Sequence, residues 1–194
     1  MNTLKAEKRS MDVKAKKLRR EGFVTGNLFG REIEGSIPLK FTKKEIEVLL
    51  KNNNKGSQVM LELDGKTYDA LIKEVDYNPL AHTVEEVDFQ ALVSNEMVHS
   101  TAEIILENEE KVMSGVLQDE LKEVAYKALP ADLVDKIKVD VAGMKIGDTL
   151  RVKDLEIAKN KNIHITTDPE AVVATVTPVH NVVCLLYTSP SPRD

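Results

Sequence analysis

The residues of this sequence that could do chemistry are mostly cations, and their grouping suits contact with phosphate. The stretch AEKRSMDVKAKKLRREG, residues 6–22, holds seven Lys or Arg and three acidic residues, in a chain whose formal net charge is −5. Cations gathered in this way can neutralise a phosphate backbone and release its counterions. Most charge runs are instead solvated helix faces, so composition alone leaves both interpretations open. The cations concerned are Lys14, Lys16, Lys17, Arg19 and Arg20.

Residues for catalysis or metal binding are not arranged in a recognisable pattern. The four histidines, at positions 82, 99, 164 and 180, are not at metal-ligand spacing with another His or Cys, so a zinc site is not expected. The glycine-rich, nucleophile and metalloprotease motifs GxGxxG, P-loop, GxSxG and HExxH are missing from the sequence. Asp148 follows Gly147, a pair typical of a turn. We therefore expect no catalytic residue, no metal and no cofactor, and an enzyme is the weakest hypothesis.

Composition indicates an ordinary soluble protein with a core of aliphatic side chains. Of the 194 residues, 42% are hydrophobic and 30% charged, while aromatics make up 4% and Trp is absent. No apolar run approaches the roughly 20 residues of a membrane helix, and no apolar segment typical of a secretory signal opens the sequence. A single Cys excludes an internal disulfide. These features predict a cytoplasmic protein.

Charge divides the chain into two predicted domains. Residues 1–92 hold 16 basic and 15 acidic side chains, whereas residues 93–183 hold 10 basic and 16 acidic ones. We predict domains over these two ranges, joined near residues 91–95 with few contacts across the junction. The last eleven residues, CLLYTSPSPRD, break from the pattern before them. They match translated sequencing-adapter sequence, so we interpret 184–194 as an artefact and give Cys184 no role.

Local patterns predict the elements that position the basic stretch. Residues 2–9 alternate as a strand, and MDVKAKKLRREG reads as a short helix with Asp12 as N-cap and Gly22 as its stop. FVTGNLFG and IEGSIPLKF are typical of strands, with Gly26 and Gly30 as bulge or turn positions. The remaining signals are a capping box of Thr42 with Glu45 at the start of TKKEIEVLLKNNNKG, and Asp64-Gly65 as a type I′ hairpin turn.

The second half continues in short β-rich runs separated by Gly and Pro. The predicted strands lie within STAEIILENEEK, VMSGVLQ, KEVAYKAL, IKVDVAG, TLRV and AVVATV. The chain is therefore expected to be mainly β with a few short helices.

The order of these features resembles one known family. LKAEKR, a basic helix ending LRREG, a strand closing LFG, LDGK, ALIKEVDYNP and EVDF are similar to the N-terminal domain of large-subunit ribosomal protein twenty-five. STAEIIL, LPADLVDKIKVDVAGMKIGDTLRVKDL and AVVATV are similar to the C-terminal domain of the family's long form, which includes the general stress protein Ctc. The resemblance covers about residues 3–177. It implies a six- or seven-stranded N-terminal β-barrel that binds 5S rRNA, a second β-rich domain, and assembly into the large ribosomal subunit.

The resemblance also assigns roles to individual residues. It implies that the basic stretch faces rRNA, that Arg9 contacts RNA, and that Asp88 and Phe29 belong to the same surface, with Phe29 replacing a usual Tyr. Departures from the family pattern are Asp76-Tyr77-Asn78 in place of Gln-Arg-His, Glu86 in place of His, and a missing Pro near Thr25. An Arg is thus lost and two carboxylates are gained on one RNA-facing surface.

Three hypotheses follow, each with a structural signature. A ribosomal protein that binds 5S rRNA predicts positive charge around Arg9, Lys14 and Arg19. A diverged stress-type member with weakened rRNA binding, whose acidic C-terminal domain contacts protein, predicts that Asp76 and Glu86 neutralise that face. An enzyme predicts a deep pocket with converging carboxylates.

Overall fold

The N-terminal half of the chain consists of six strands and two α-helices. The computed structural model describes residues 3–112 and 115–178. The elements of this half are β1 (Thr3–Lys8), α1 (Ala15–Arg20), β2 (Phe23–Phe29), β3 (Ser36–Thr42), α2 (Lys43–Asn52), β4 (Gln58–Leu63), β5 (Lys66–Asn78) and β6 (Thr83–Ala91). The strands close into a barrel in the order β1, β3, β2, β6, β5, β4.

Two parallel pairings complete the barrel. β1 pairs with β4, with Leu4 opposite Leu61, and β2 pairs with β6, while the other neighbouring strands run antiparallel. Alternate side chains point inward, as the period of two in a strand requires. The fully buried Phe41 and Phe89 meet inside the barrel with ring centroids 5.4 Å apart. As the composition predicted, most of the surrounding core is Val, Ile and Leu.

The strongest local signals in the sequence are confirmed. The Thr42 hydroxyl accepts a hydrogen bond from the Glu45 N–H, and the Glu45 carboxylate accepts one from the Thr42 N–H, which is the expected capping box of α2. Ile46, which follows, is fully buried against the barrel. Asp64 and Gly65 both have positive φ, at 50° and 78°, as a type I′ turn between β4 and β5 demands.

Two local predictions are wrong. Asp12 does not cap α1: the helix begins at Ala15 after Lys14, and Asp12 instead lies in a turn in which its carboxylate accepts a hydrogen bond from the Ser10 hydroxyl. Gly26 is neither a bulge nor a turn but lies inside β2, where a Cβ would be 2.1 Å from the carbonyl oxygen of Val87. Glycine is therefore present because β6 approaches too closely for a side chain.

The C-terminal half forms a second β-rich domain with its own core, which confirms the expected fold class. Its strands are β7 (Val98–Glu107), β8 (Val116–Asp119), β9 (Glu123–Ala128), β10 (Lys136–Asp140), β11 (Thr149–Arg151), β12 (His164–Ile165) and β13 (Val172–Thr177). They build one sheet in the order β10, β7, β9, β12 and another in the order β11, β13, β8. All the predicted runs contain a strand, whereas the two-residue β12 had not been predicted. The predicted artefact, with Cys184, lies outside the described residues.

Polar contacts join the two halves, whose hydrophobic clusters share no residue. The loop between α2 and β4 supplies most of them: the Asn54 amide donates to the Glu103 carboxylate, and the Ser57 hydroxyl donates to Asp135 at 3.2 Å. Gly56, at φ +89°, lies against the Thr101 carbonyl, where a Cβ would be only 1.9 Å from the oxygen. The loop therefore sits directly on β7, and only glycine fits this point of contact.

Candidate nucleic-acid interface

Helix α1 presents most of the predicted cations to solvent. Leu18 is buried and anchors the helix, which packs mainly beside β2. Lys14, Lys16, Lys17 and Arg20 are all exposed. Within the described residues the only ion pair among these four is a long one, 4.0 Å from Lys17 Nζ to the Glu21 carboxylate. The helix thus carries a cluster of four cations available to an external anion, which we call the α1 cations.

Arg9 is placed differently from the α1 cations. It directly follows β1, and its N–H donates to the Pro38 carbonyl at 2.9 Å. Its Nη2 donates to the Val13 carbonyl at 3.1 Å, which ties the loop before α1 to the barrel. Its Nε is buried and lacks a hydrogen-bond partner among the described residues. Arg9 therefore supports the loop that positions α1 and keeps an unused donor.

Arg19 is turned toward the barrel and is neutralised by β6. Its Nη1 lies 2.9 Å from the Glu85 carboxylate, and its Nη2 lies 3.4 Å from that of Glu86. Its Nε also donates to the Glu85 backbone carbonyl at 3.2 Å. The structure thus separates Arg19 from the α1 cations, although the two share one stretch of sequence.

Four carboxylates line a depression on the outer surface of β5 and β6, which we call the acidic patch: Glu74, Asp76, Glu86 and Asp88. The strand register places Glu74 opposite Asp88 and Asp76 opposite Glu86, so like charges face each other across the pair. Within residues 3–112 and 115–178, no group of three or more His, Cys, Asp or Glu residues is arranged to hold a metal ion.

Asn27 on β2 connects the acidic patch to the surface next to α1. Its backbone N–H donates to Asp88 at 3.0 Å, and its side-chain amide donates to Asp88 at 3.0 Å and Glu86 at 3.2 Å. Sequence reasoning missed Asn27 and Glu85. The alternation of a strand is a signal that puts Asn27 on the outer face of β2, but its partners lie about sixty residues further along the chain, and only strand pairing brings them together.

The remaining predicted positions surround this surface. Phe29 is half-buried at the end of β2, while Thr25 is buried and donates its hydroxyl to the Glu85 carbonyl at 3.3 Å. Tyr77 is 54% exposed on the β5–β6 hairpin, with its hydroxyl 3.2 Å from Nδ1 of His82. The structure therefore brings an aromatic ring, the α1 cations and the acidic patch onto neighbouring parts of the barrel.

Two family models match this chain, one in each half. The Ribosomal L25p family matches residues 4–89, and the C-terminal domain of ribosomal protein TL5 matches residues 97–180. The large ribosomal subunit protein bL25 of Bacillus velezensis is 30% identical over 199 residues, which cover 100% of this chain and 96% of that protein. That of Carboxydothermus hydrogenoformans is 32% identical, with 88% of each chain covered. The chain belongs to the bL25 family.

Membership in the bL25 family confirms the resemblance that the sequence suggested. A further bL25 protein, from a Thermoanaerobacter species, is 29% identical over 84% of this chain and 81% of its own length. bL25 proteins are structural rather than catalytic, which confirms that the chain is not an enzyme and supports the expected ribosome-associated location in the cytoplasm. In the part of the chain that the structure describes, no helix is long and apolar enough to cross a membrane.

Proposed function

We propose that this protein is a structural component of the large ribosomal subunit that binds 5S rRNA through its N-terminal barrel. The observation that carries the proposal is the position of the α1 cations, which Leu18 fixes against the barrel with their charged ends in solvent. Membership in the bL25 family supplies the class of partner. Each cation that meets a phosphate would contribute to a salt-dependent affinity.

Within this proposal the predicted site residues take separate roles. Lys14, Lys16, Lys17 and Arg20 contact the phosphate backbone from α1. Arg9 contributes its positive charge and holds the loop that orients the helix. Phe29 is half-buried at the end of β2 and contributes an aromatic side chain, and Asp88 holds Asn27 in place through two hydrogen bonds. Arg19 contributes less than the α1 cations because two glutamates already neutralise it.

We propose that residues 1–92 form the RNA-binding domain and residues 93–183 the second domain. Two separate hydrophobic clusters and a linker between β6 and β7 support these limits.

A second candidate function is favoured by the acidic patch. Asp76 and Glu86 add negative charge beside the proposed RNA surface, and Glu86 also helps to neutralise Arg19. A stress-type family member that binds rRNA weakly and contacts protein through its acidic C-terminal domain would show this arrangement. Measured affinity for RNA separates the two candidates.

The experiment measures binding of the full chain to a 5S loop E duplex at two salt concentrations. A double variant, Lys14→Ala with Lys16→Ala, should lower the slope of log affinity against log salt by about 1.5, because each lost phosphate contact contributes roughly 0.7–0.9. Lys44→Ala with Lys51→Ala removes the same charge from α2 and is the matched control. Equal effects of the two double variants would refute the α1 surface, and no binding at low salt would refute the proposal.

Arg9→Ala should weaken binding more than any single change at Lys14, Lys16 or Lys17. A charge-assisted hydrogen bond contributes about 1.5–3 kcal/mol, whereas an exposed flexible Lys contributes well under about 1 kcal/mol. Because Arg9 also bonds the Val13 carbonyl, urea unfolding of the variant must be measured in parallel. If Arg9→Ala leaves the affinity for loop E unchanged, Arg9 does not belong to the proposed site.

A further inference from the structure

A row of basic groups crosses the sheet of the C-terminal half at its end nearest the barrel. On neighbouring strands His99 of β7 lies opposite Lys127 of β9, and Lys127 lies opposite His164 of β12. Directly opposed residues project from the same face of a sheet. His99 is exposed between the buried Val98 and Ser100, so this is the face that looks away from the core.

The barrel adds a fourth group to this row. Lys73 of β5 reaches across the junction, and its Nζ donates to the backbone carbonyl of His99 at 2.7 Å. We call Lys73, His99, Lys127 and His164 the basic row. Lys55 flanks it, and Lys55, Lys73 and His99 line one groove together with Thr101.

The cations in and beside this groove are only partly balanced by carboxylates. Lys55, Lys73 and Lys127 form no ion pair within residues 3–112 and 115–178. The Glu74 carboxylate lines the same groove, faces Lys73 and also belongs to the acidic patch. The groove is therefore lined by two lysines against one carboxylate.

The pKa values of Lys73 and His99 are both lowered, first by loss of hydration and then by neighbouring cations. Burial and then the neighbouring Lys55 lower the pKa of Lys73. Partial loss of hydration, followed by the charges of Lys127 and Lys73, lowers the pKa of His99. An anion bound in the groove would offset the repulsion among these cations and raise both pKa values.

We propose that the basic row binds the phosphate backbone of RNA and is a second contact, separate from the α1 cations. The inference rests on the proposed function for its choice of RNA as the partner. His99, Lys127 and His164 lie on three adjacent strands and therefore span about 10 Å. This length is greater than the width of one phosphate group and suits an extended polyanion. The Lys ammonium groups supply both positive charge and hydrogen-bond donors to the phosphate oxygens.

Histidine NMR on the full chain tests the proposal directly. Titration with a twelve-nucleotide oligouridine should raise the pKa of His99 by about 1, because nearby phosphate stabilises the imidazolium, and should change the chemical shifts of the His164 ring. His82 lies beside Tyr77 on the barrel, so its response reports the surface of the proposed function rather than the basic row. Titration with inorganic phosphate distinguishes binding of a free anion from binding of RNA. Phosphate alone should change the NMR signals of His99 only, and by less than oligouridine does. No response of His99 would overturn the proposal.

Two variants and a control locate the effect. Lys127→Gln should at least halve the response of His99, and so should Lys73→Gln, which keeps a donor for the His99 carbonyl. Lys138→Gln removes a charge from β10 of the same sheet, where Lys138 pairs with Glu107 at 2.7 Å, and should leave the response unchanged. A peptide of eight glutamates that reproduces the RNA effect would overturn the choice of RNA.

This test separates the inference from the proposed function. If loop E binds through α1 while His99 shows no response to oligouridine, the basic row is not an RNA contact and the proposed function is unaffected. If the row responds to oligouridine but loop E does not bind, the proposed 5S contact fails and the row stands.

Discussion

Replacing Asp76 with Asn should stabilise the barrel and strengthen its binding to RNA. Asp76 lies directly opposite Glu86 in the β5–β6 pair, within the acidic patch. Glu86 is compensated by Arg19 and Asn27, whereas Asp76 has no ion-pair partner within the described residues. The substitution therefore removes a like-charge contact without breaking an attractive one.

The expected gain follows from the cross-strand geometry. Side chains directly opposite in an antiparallel pair lie about 5 Å apart, and two unit charges at that distance in water repel by about 0.8 kcal/mol. Screening reduces this to about 0.7 kcal/mol near 0.01 M salt, about 0.4 near 0.15 M and under about 0.2 at 1 M. At 8 Å from each of two phosphates, Asp76 would oppose RNA binding by about 0.4 kcal/mol at physiological salt, or about twofold in affinity.

Urea unfolding of the wild type and the variant at these three salt concentrations measures the first effect, and loop E binding measures the second. Asp119→Asn is the matched control, because Asp119 is an exposed carboxylate on a strand of the other half of the chain. A stability gain that does not decline with salt would show that repulsion is not its cause. Weaker RNA binding by Asp76→Asn would refute the placement of this surface next to phosphate.

Three further outcomes are expected. Gly26→Ala should lower the free energy of unfolding by about 1–3 kcal/mol, measured by urea, because its Cβ would collide with the Val87 carbonyl; a loss below about 0.5 would contradict the close approach of β2 and β6. Thr42→Ala should cost about 0.5–2 kcal/mol, with loss of helical circular dichroism, whereas the exposed Lys44→Ala should cost almost nothing. Hydrogen bonds from Lys153 and Arg151 lower the pKa of Glu170 below its ordinary value of 4.5. The ionised carboxylate therefore stabilises the folded protein above pH 4.5, and this stabilisation is lost as the pH falls through the lowered pKa. Glu170→Gln should accordingly reduce the slope of the free energy of unfolding against pH on the acid side, measured by urea unfolding.

Much of the fold could be predicted from the sequence because its signals are local. The Thr42–Glu45 capping box spans four residues and the Asp64-Gly65 turn spans two, so neither depends on distant parts of the chain. The predicted start of α1 was wrong because Asp12 is a turn residue, whose carboxylate accepts a hydrogen bond from the Ser10 hydroxyl instead of capping the helix. The strand β12 was not predicted because its two residues are too few to show an alternating pattern.

The candidate site was less predictable because its chemistry depends on strand pairing. Arg19 and Lys17 look equivalent in sequence, yet Arg19 meets Glu85 and Glu86 across more than sixty residues of chain. The family resemblance identified Asp76 and Glu86 as departures, but only the register of β5 and β6 shows that they face each other. The basic row was missed for the same reason, since His99, Lys127 and His164 come from three separate strands.

The parallel pairing of β1 with β4 has a consequence for how the protein folds. β1 contains the first residues that the structure describes, yet its partner strand begins at Gln58, and the loop between them must close before the barrel is complete. Contacts between distant segments slow folding, and a nascent chain cannot make this one until β4 has left the ribosome that is synthesising it. Before the pair forms, β1 presents an unpaired edge, and so does β4 once it has left the ribosome; either edge can pair with another chain. Removal of residues 1–8 should therefore cause aggregation rather than only a loss of stability.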